Sequence, residues 1–155
     1  MKRTRTNGAR AYVAELARHA YHAPGPDEAR PAITGPDAAT DILRPMLLDP
    51  ERERFAALYM NTRNQMIAAE LISIGSLNCS IVHPREVFRP AVHHGAAGLI
   101  LAHNHPSGDP TPSEEDVAIT RRLVEAGRMI GIEVLDHIIL TERGAVSLKD
   151  RGVIR

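Results

Sequence analysis

The sequence has no tryptophan, and only three tyrosines and two phenylalanines among its 155 residues. Such scarcity leaves no aromatic stripe on which nucleic-acid bases would stack, and no basic stripe accompanies it. Net charge is lacking as well: nineteen Lys and Arg balance nineteen Asp and Glu, so no overall field draws the chain to nucleic acid or to a membrane surface. Lys2, Arg3, Arg5 and Arg10 form a local basic cluster, read here as a solvated tail. A single cysteine, Cys79, excludes an intrachain disulfide and any multi-cysteine metal knuckle. Its Asn-Cys-Ser setting reads as a small, at least half-buried residue rather than a catalytic thiol. No apolar run approaches the roughly 20 residues of a membrane span, and the N-terminus lacks the apolar centre of a signal peptide. These absences together predict a protein of the reducing cytoplasm.

What is present is ordinary globular material, 43% hydrophobic and 25% charged, at a length that suits one domain with a real core. Tyr12, Val13, Leu16 and Ala20 predict a short amphipathic helix over residues 8–22. The proline- and glycine-rich residues 23–31 predict a linker, so residues 1–35 read as helix and linker ahead of a domain over 36–155. Pro36-Asp37 opens a helix with Ala39, Ile42, Leu43, Met46 and Leu47 on one face, ending near Asp49-Pro50. Phe55–Met60 and Met66–Ile74 read as strands about an Asn61–Gln65 turn. Pro84 is placed to begin a helix that Pro90 should kink or shorten. Ala96–Ala102 reads as a buried strand, residues 112–130 as the best helix, and Ile132–Leu135, His137–Leu140 and Ala145–Leu148 as three later strands. The alternation predicts an α+β protein with one mixed sheet.

Chemistry concentrates where the buried strand ends. His103 and His105 are two apart, so an extended backbone points both side chains to one face. Two imidazoles on one face can reach a common ion at ~2.0–2.1 Å, the Zn–N distance. Pro106, Gly108, Pro110 and Pro112 then force a tight loop back towards them. The spacing predicts Thr111 as the cap of the following helix, with Pro112 at its first position and Glu114 completing the box; Ser113 in Ser-Glu-Glu-Asp is the alternative cap. Ser113 and Asp116 fall on one face of the first turn, where the helix N-terminus favours an ionised carboxylate. Two histidines and one carboxylate are three protein ligands, leaving a fourth tetrahedral position for water, which is the arrangement of a catalytic rather than a structural zinc. His19, His22, His83, His93 and His94 form no second ligand set and read as surface or helix-end residues. His137, after Asp136, reads as a structural hydrogen-bonding residue rather than a ligand.

The pattern His103-x-His105-x10-Asp116, with Ser113 three before the aspartate, resembles the JAMM (MPN+) metalloprotease motif. The full wording His-Asn-His-Pro-Ser-Gly-Asp-Pro-Thr-Pro-Ser-x-x-Asp is more similar still to the RadC-like branch of that superfamily, as are Val82–Phe88 and Gly131–Ile139. The resemblance runs from about Pro36 to near the C-terminus and implies a JAB/MPN-like fold, with a cytidine-deaminase-like central sheet flanked by helices. It implies one zinc ion on His103, His105 and Asp116, and a Ser113 hydroxyl that hydrogen-bonds the developing oxyanion or the water. An upstream glutamate at a strand start serves such enzymes as general base. Glu53 is the match here, with Glu70 the runner-up and Glu51 third. The expected function is zinc-dependent hydrolysis of an amide-type bond in a peptide or protein.

Two other functions compete. RadC relatives carry a DNA-repair label, and His103-Asn-His105 superficially suggests a nuclease, but His-Asn-His nucleases do not place those letters consecutively. A non-catalytic interaction module of the MPN type would have lost its ligands, whereas all three ligand residues are present here. Oligomeric state and physiological substrate are not readable from these residues.

Overall fold

The computed structural model describes residues 29–75 and 82–155. The helix expected over residues 8–22, most of the linker after it, His19, His22 and Cys79 lie outside the described residues. In chain order the elements are α1 (Pro36–Leu47), β1 (Arg54–Met60), β2 (Met66–Ile74), α2 (Pro84–His93), β3 (Gly98–Asn104), α3 (Glu114–Ile130), β4 (Glu133–Leu140) and β5 (Ala145–Ser147). The strands form one mixed sheet in the order β2-β1-β3-β4-β5. β3 and β4 run parallel, joined through α3, and the other neighbouring pairs are antiparallel. This is an α+β fold of the expected class, a five-stranded sheet with three helices among the described residues.

The sheet is buried on both faces, and the period of two along its central strands separates two cores. Phe55, Ala57 and Tyr59 of β1, with Leu99 and Leu101 of β3, pack against Phe88 of α2 and Ile119 and Leu123 of α3. The intervening residues Ala56, Leu58, Ile100 and Ala102 pack against Leu43 and Leu47 of α1. Continuous apolar runs, rather than alternating ones, are what a strand covered on both sides requires. The same parity decides where the ends of β3 point, and it matters for the site below.

Several boundaries differ from the sequence expectation. The two strands expected at Ile132–Leu135 and His137–Leu140 are one, β4, which begins at Glu133 and keeps pairing with β3 past Asp136. Asp136 is polar yet buried, because its carboxylate accepts hydrogen bonds from Ser147 Oγ and from the backbone of His137 and Lys149. A polar residue satisfied in this way does not interrupt a strand. Helix α2 runs through Pro90 and ends three residues later at His93. Pro84 and its cap His83, whose Nδ1 accepts the Arg85 N–H at 3.2 Å, open this helix as expected.

Gly127 holds α3 against its neighbours. Both Gly131 and Ile132 donate backbone hydrogen bonds to its carbonyl, closing the helix through the left-handed Gly131. A Cβ there would stand 2.4 Å from the Ile132 carbonyl oxygen and 3.2 Å from Phe88 Cζ. Gly127→Ala is therefore expected to destabilise the fold by about 1–3 kcal/mol, as overpacking does, despite alanine's better helix propensity. Urea denaturation reads this directly, and an increase in stability would contradict the packing described.

Candidate metal centre

Strand β3 carries Leu101, His103 and, just past its end, His105 towards the α3 side, as the parity of the strand demands. The backbone of His105 stays aligned with β4, donating to the Leu140 carbonyl at 2.8 Å. The loop beyond turns at Gly108, whose φ of 85° is the left-handed conformation that glycine adopts without a steric penalty. Helix α3 then brings Asp116 back above the two imidazoles.

The cap of α3 is Ser113, not Thr111, and Pro112 lies outside the helix. Ser113 Oγ accepts the Asp116 N–H at 3.1 Å while Asp116 Oδ2 accepts the Ser113 N–H at 2.8 Å, a reciprocal box. The true box serves the site better than the expected one. It orients the carboxylate of Asp116 through its own cap, and it leaves the Ser113 hydroxyl hydrogen free of the helix, since Oγ acts there as acceptor.

Three candidate ligand atoms converge. His103 Nε2 lies 3.0 Å from His105 Nε2, Asp116 Oδ1 lies 3.1 Å from His103 Nε2 and Asp116 Oδ2 lies 3.2 Å from His105 Nε2. Among the described residues, His103, His105 and Asp116 are the group that could hold a metal ion. Ligand atoms ~2.0–2.1 Å from a tetrahedral zinc stand about 3.3 Å apart, so this triangle already has nearly the required size. The donor set, two imidazoles and a carboxylate, suits zinc. His105 presents Nε2 because its Nδ1 is 2.7 Å from the Asp109 carbonyl oxygen, which can only accept.

The electrostatics favour the ligand forms of His103 and Asp116. Burial pushes His103 below its usual range, towards the neutral imidazole, against the pull of Asp116. Burial would raise the Asp116 carboxyl, but the His103 and His105 imidazoles beside it and the Ser113 N–H hold it well below the carboxylate range. His105, more open, is raised by its hydrogen bond to Asp116 against the opposing effect of burial. An ionised carboxylate and a neutral imidazole are what a metal takes.

A cleft of about 290 Å³ opens above these atoms, lined by Glu53, Ser113, His105 and Asp116 with Ser107 and Glu115. Glu53 sits just before β1, and its charge is felt by both His103 and His105. Glu70 is elsewhere: it lies on β2 opposite Ala57, and its carboxylate meets His94 Nε2 at 2.7 Å. Glu51 is exposed, in the turn that Asp49 caps by accepting its N–H.

The sequence reading missed Asn104, the middle letter of His-Asn-His. Its parity turns it away from the histidines, where its Oδ1 accepts the Arg54 N–H at 2.6 Å and its Nδ2 donates to the carbonyls of Asp49 and Arg52. Asn104 thus fixes the segment that carries Glu53, from the strand that carries the ligands. On the other side the Glu53 carbonyl accepts the Gly75 N–H at 2.8 Å. Asp49 is tied in too: burial would raise its carboxyl, but the Glu51 and Arg52 N–H groups and the guanidinium of Arg54 lower it to about 2. Strict alternation along β3 was the signal that could have found Asn104. Asn104→Ala is expected to cost about 1–3 kcal/mol by orphaning the buried Arg54 N–H, and to speed hydrogen exchange of that amide. Unchanged exchange at Arg54 would show that something else anchors the segment.

The comparisons with known proteins agree with this geometry. Residues 33–153 match a family model described as RadC-like JAB domain. A UPF0758 protein of Desulforamulus reducens is 54% identical over 129 residues, 83% of this chain and 57% of the relative. One from Methanosarcina mazei is 46% identical over 129 residues, 83% of this chain and 56% of the relative. One from Bacillus cereus (strain B4264) is 54% identical over 125 residues, 81% of this chain and 56% of the relative. The chain thus spans little more than half the length of these curated relatives.

Proposed function

From the chain's place in the RadC-like JAB domain family, to which it belongs, and from its three converging ligand atoms, we propose that it is a zinc-dependent hydrolase of amide bonds in peptides or proteins. The observation that carries this reading is the triangle of 3.0–3.2 Å between His103, His105 and Asp116, opening into a cleft that also holds Glu53 and Ser113. His103, His105 and Asp116 would hold a zinc ion there, which would supply Lewis acidity for the carbonyl and for activation of water.

The chain's own groups supply the rest. Glu53, held in place through Asn104, accepts a proton from the attacking water and returns it to the leaving amine. Ser113 donates its hydroxyl hydrogen to the oxyanion that develops on the carbonyl oxygen. Its oxygen is already engaged as the helix cap, so the donor is oriented before substrate arrives. A second cleft of about 330 Å³, lined by Leu48, Pro50, Asn104 and Pro106, shares His105 and Ser107 with the first. The two clefts meet at His105 and Ser107, and an extended peptide laid along both would pass beside the candidate ligands. No helix among the described residues is long and apolar enough to cross a membrane.

The test is metal content together with selectivity. Purified protein reconstituted with zinc is expected to hold one zinc per chain, and His103→Ala to hold none. The loaded protein is expected to cleave peptide or isopeptide substrates in a chelator-sensitive manner and to leave DNA intact. Absence of zinc after reconstitution would favour a non-catalytic interaction module, and zinc-dependent DNA cleavage would favour the nuclease.

A further inference from the structure

Behind the ligands lies a buried line of polar groups that the proposed hydrolysis does not use. His103 Nδ1, the ring nitrogen turned away from Asp116, is 2.8 Å from His137 Nε2. His137 Nδ1 is in turn 2.5 Å from Thr120 Oγ1, and Thr120 Oγ1 is 2.6 Å from the backbone carbonyl of Asp116. His103, His137 and Thr120 are all fully buried, with relative exposures of 0%. The line therefore starts at one ligand and ends on the backbone of another.

We infer that Thr120 and His137 are positioning residues that fix the proton of His103 on Nδ1, leaving the Nε2 lone pair directed at the metal position. The argument is a count of hydrogens. A backbone carbonyl only accepts, so the one hydroxyl hydrogen of Thr120 lies between Oγ1 and the Asp116 carbonyl. Thr120 Oγ1 must then accept from His137, which places the His137 hydrogen on Nδ1. A neutral imidazole has one N–H, so His137 Nε2 is an acceptor and the hydrogen between the two rings belongs to His103 Nδ1. Nothing is left on His103 Nε2.

The reverse arrangement would require Thr120 to turn its hydrogen towards His137. The Thr120 and Asp116 oxygens would then face each other at 2.6 Å with no hydrogen between them. Phe55 keeps the rings in register. It lies nearly parallel to His103, with 11° between planes, and edge-on to His137. Sequence offers the elements of this line only in hindsight: Thr120 is one helical turn from Asp116, and His137 is next but one to the β4 partner of His103. Histidine ligands that donate their second N–H to a fixed acceptor are more basic and better oriented, and removing such an outer partner typically weakens metal affinity 10–100-fold.

The inference rests on the metal reading for its purpose but not for its test. Ring-nitrogen NMR of uniformly 15N-labelled, zinc-free protein is expected to show His103 and His137 both protonated at Nδ1. Chelator competition is expected to show a 10–100-fold weaker zinc affinity for Thr120→Val, with Thr120→Ser restored to near the wild-type value. A merely structural threonine would move neither the His103 tautomer nor its rescue by serine. A His103 proton found on Nε2 in the wild type overturns the inference, and this measurement needs no variant to fold. Wild-type zinc affinity and an unmoved His103 proton in a folded Thr120→Val protein overturn it too. Nδ1 protons on both rings in a wild type that binds no zinc would uphold the proton arrangement while sinking the hydrolase reading.

Discussion

Glu53→Gln is expected to lower amide hydrolysis by about 10²–10⁴-fold, the usual contribution of a positioned general base, while zinc stays bound at one per chain. Glutamine preserves the size of the side chain and its hydrogen-bonding reach but cannot take up a proton at neutral pH. The metal should remain because Glu53 is not part of the ligand triangle; it lines the cleft above it. Zinc content and turnover, measured on the same preparation, separate the two effects. Full activity with zinc bound would remove Glu53 from the chemistry. Glu70→Gln is the matched control: its carboxylate, on β2, is engaged by His94 at the end of α2, and its loss should leave turnover within a few-fold.

Asp116→Ala should have the broadest consequence of any single change. Both carboxylate oxygens are in use, Oδ1 towards His103 and Oδ2 towards His105 and the Ser113 N–H. Zinc affinity should therefore fall by more than the roughly 10–100-fold that follows loss of an outer partner, and hydrolysis should fall with it. The same substitution breaks the capping box of α3, which adds about 1 kcal/mol of destabilisation from the helix end. Isothermal titration with zinc and urea denaturation of the zinc-free protein read the two parts independently. Zinc binding at wild-type strength would mean that the third ligand is another group. Unchanged zinc-free stability would mean that the box contributes nothing to the fold.

Much of this was legible in the chain because the relevant signals are local. His103 and His105 share a face by the period of a strand, and the ligand spacing to Asp116 needs only a tight loop and a helix start. Phe55–Met60 and Met66–Ile74 read as a hairpin from their apolar runs and the polar turn between them. The parts that were not legible depend on partners far apart in the chain. Asp136 looked like a strand break until Ser147 and the backbone of Lys149 supplied its hydrogen bonds. Thr111 was the expected cap because Pro112 and Glu114 follow it at the spacing of a capping box. Ser113 took the position because its box partner is Asp116, whose place is also set by the two histidines. The choice of Glu53 over Glu70 could not be made by spacing, since both sit on or beside strands of one hairpin. What separates them is β3, which pairs with β1 so that His103 stands opposite Phe55, two residues from Glu53.

The alternation His103, Asn104, His105 gives β3 something like a reading frame. Its odd positions address the candidate metal site and its even position addresses the chain segment that holds Glu53. A shift of one residue along the strand would aim asparagine at the cleft and both imidazoles into the aliphatic layer beneath α1, where Ile100 and Ala102 now pack. Core and chemistry would fail together, so no sequence drift can trade one for the other by sliding the strand. A single inserted or deleted residue between Gly98 and Ala102 should accordingly be among the least tolerated changes in the protein, whereas the loop from Pro106 to Pro112 can vary wherever it still returns Asp116 to the same point.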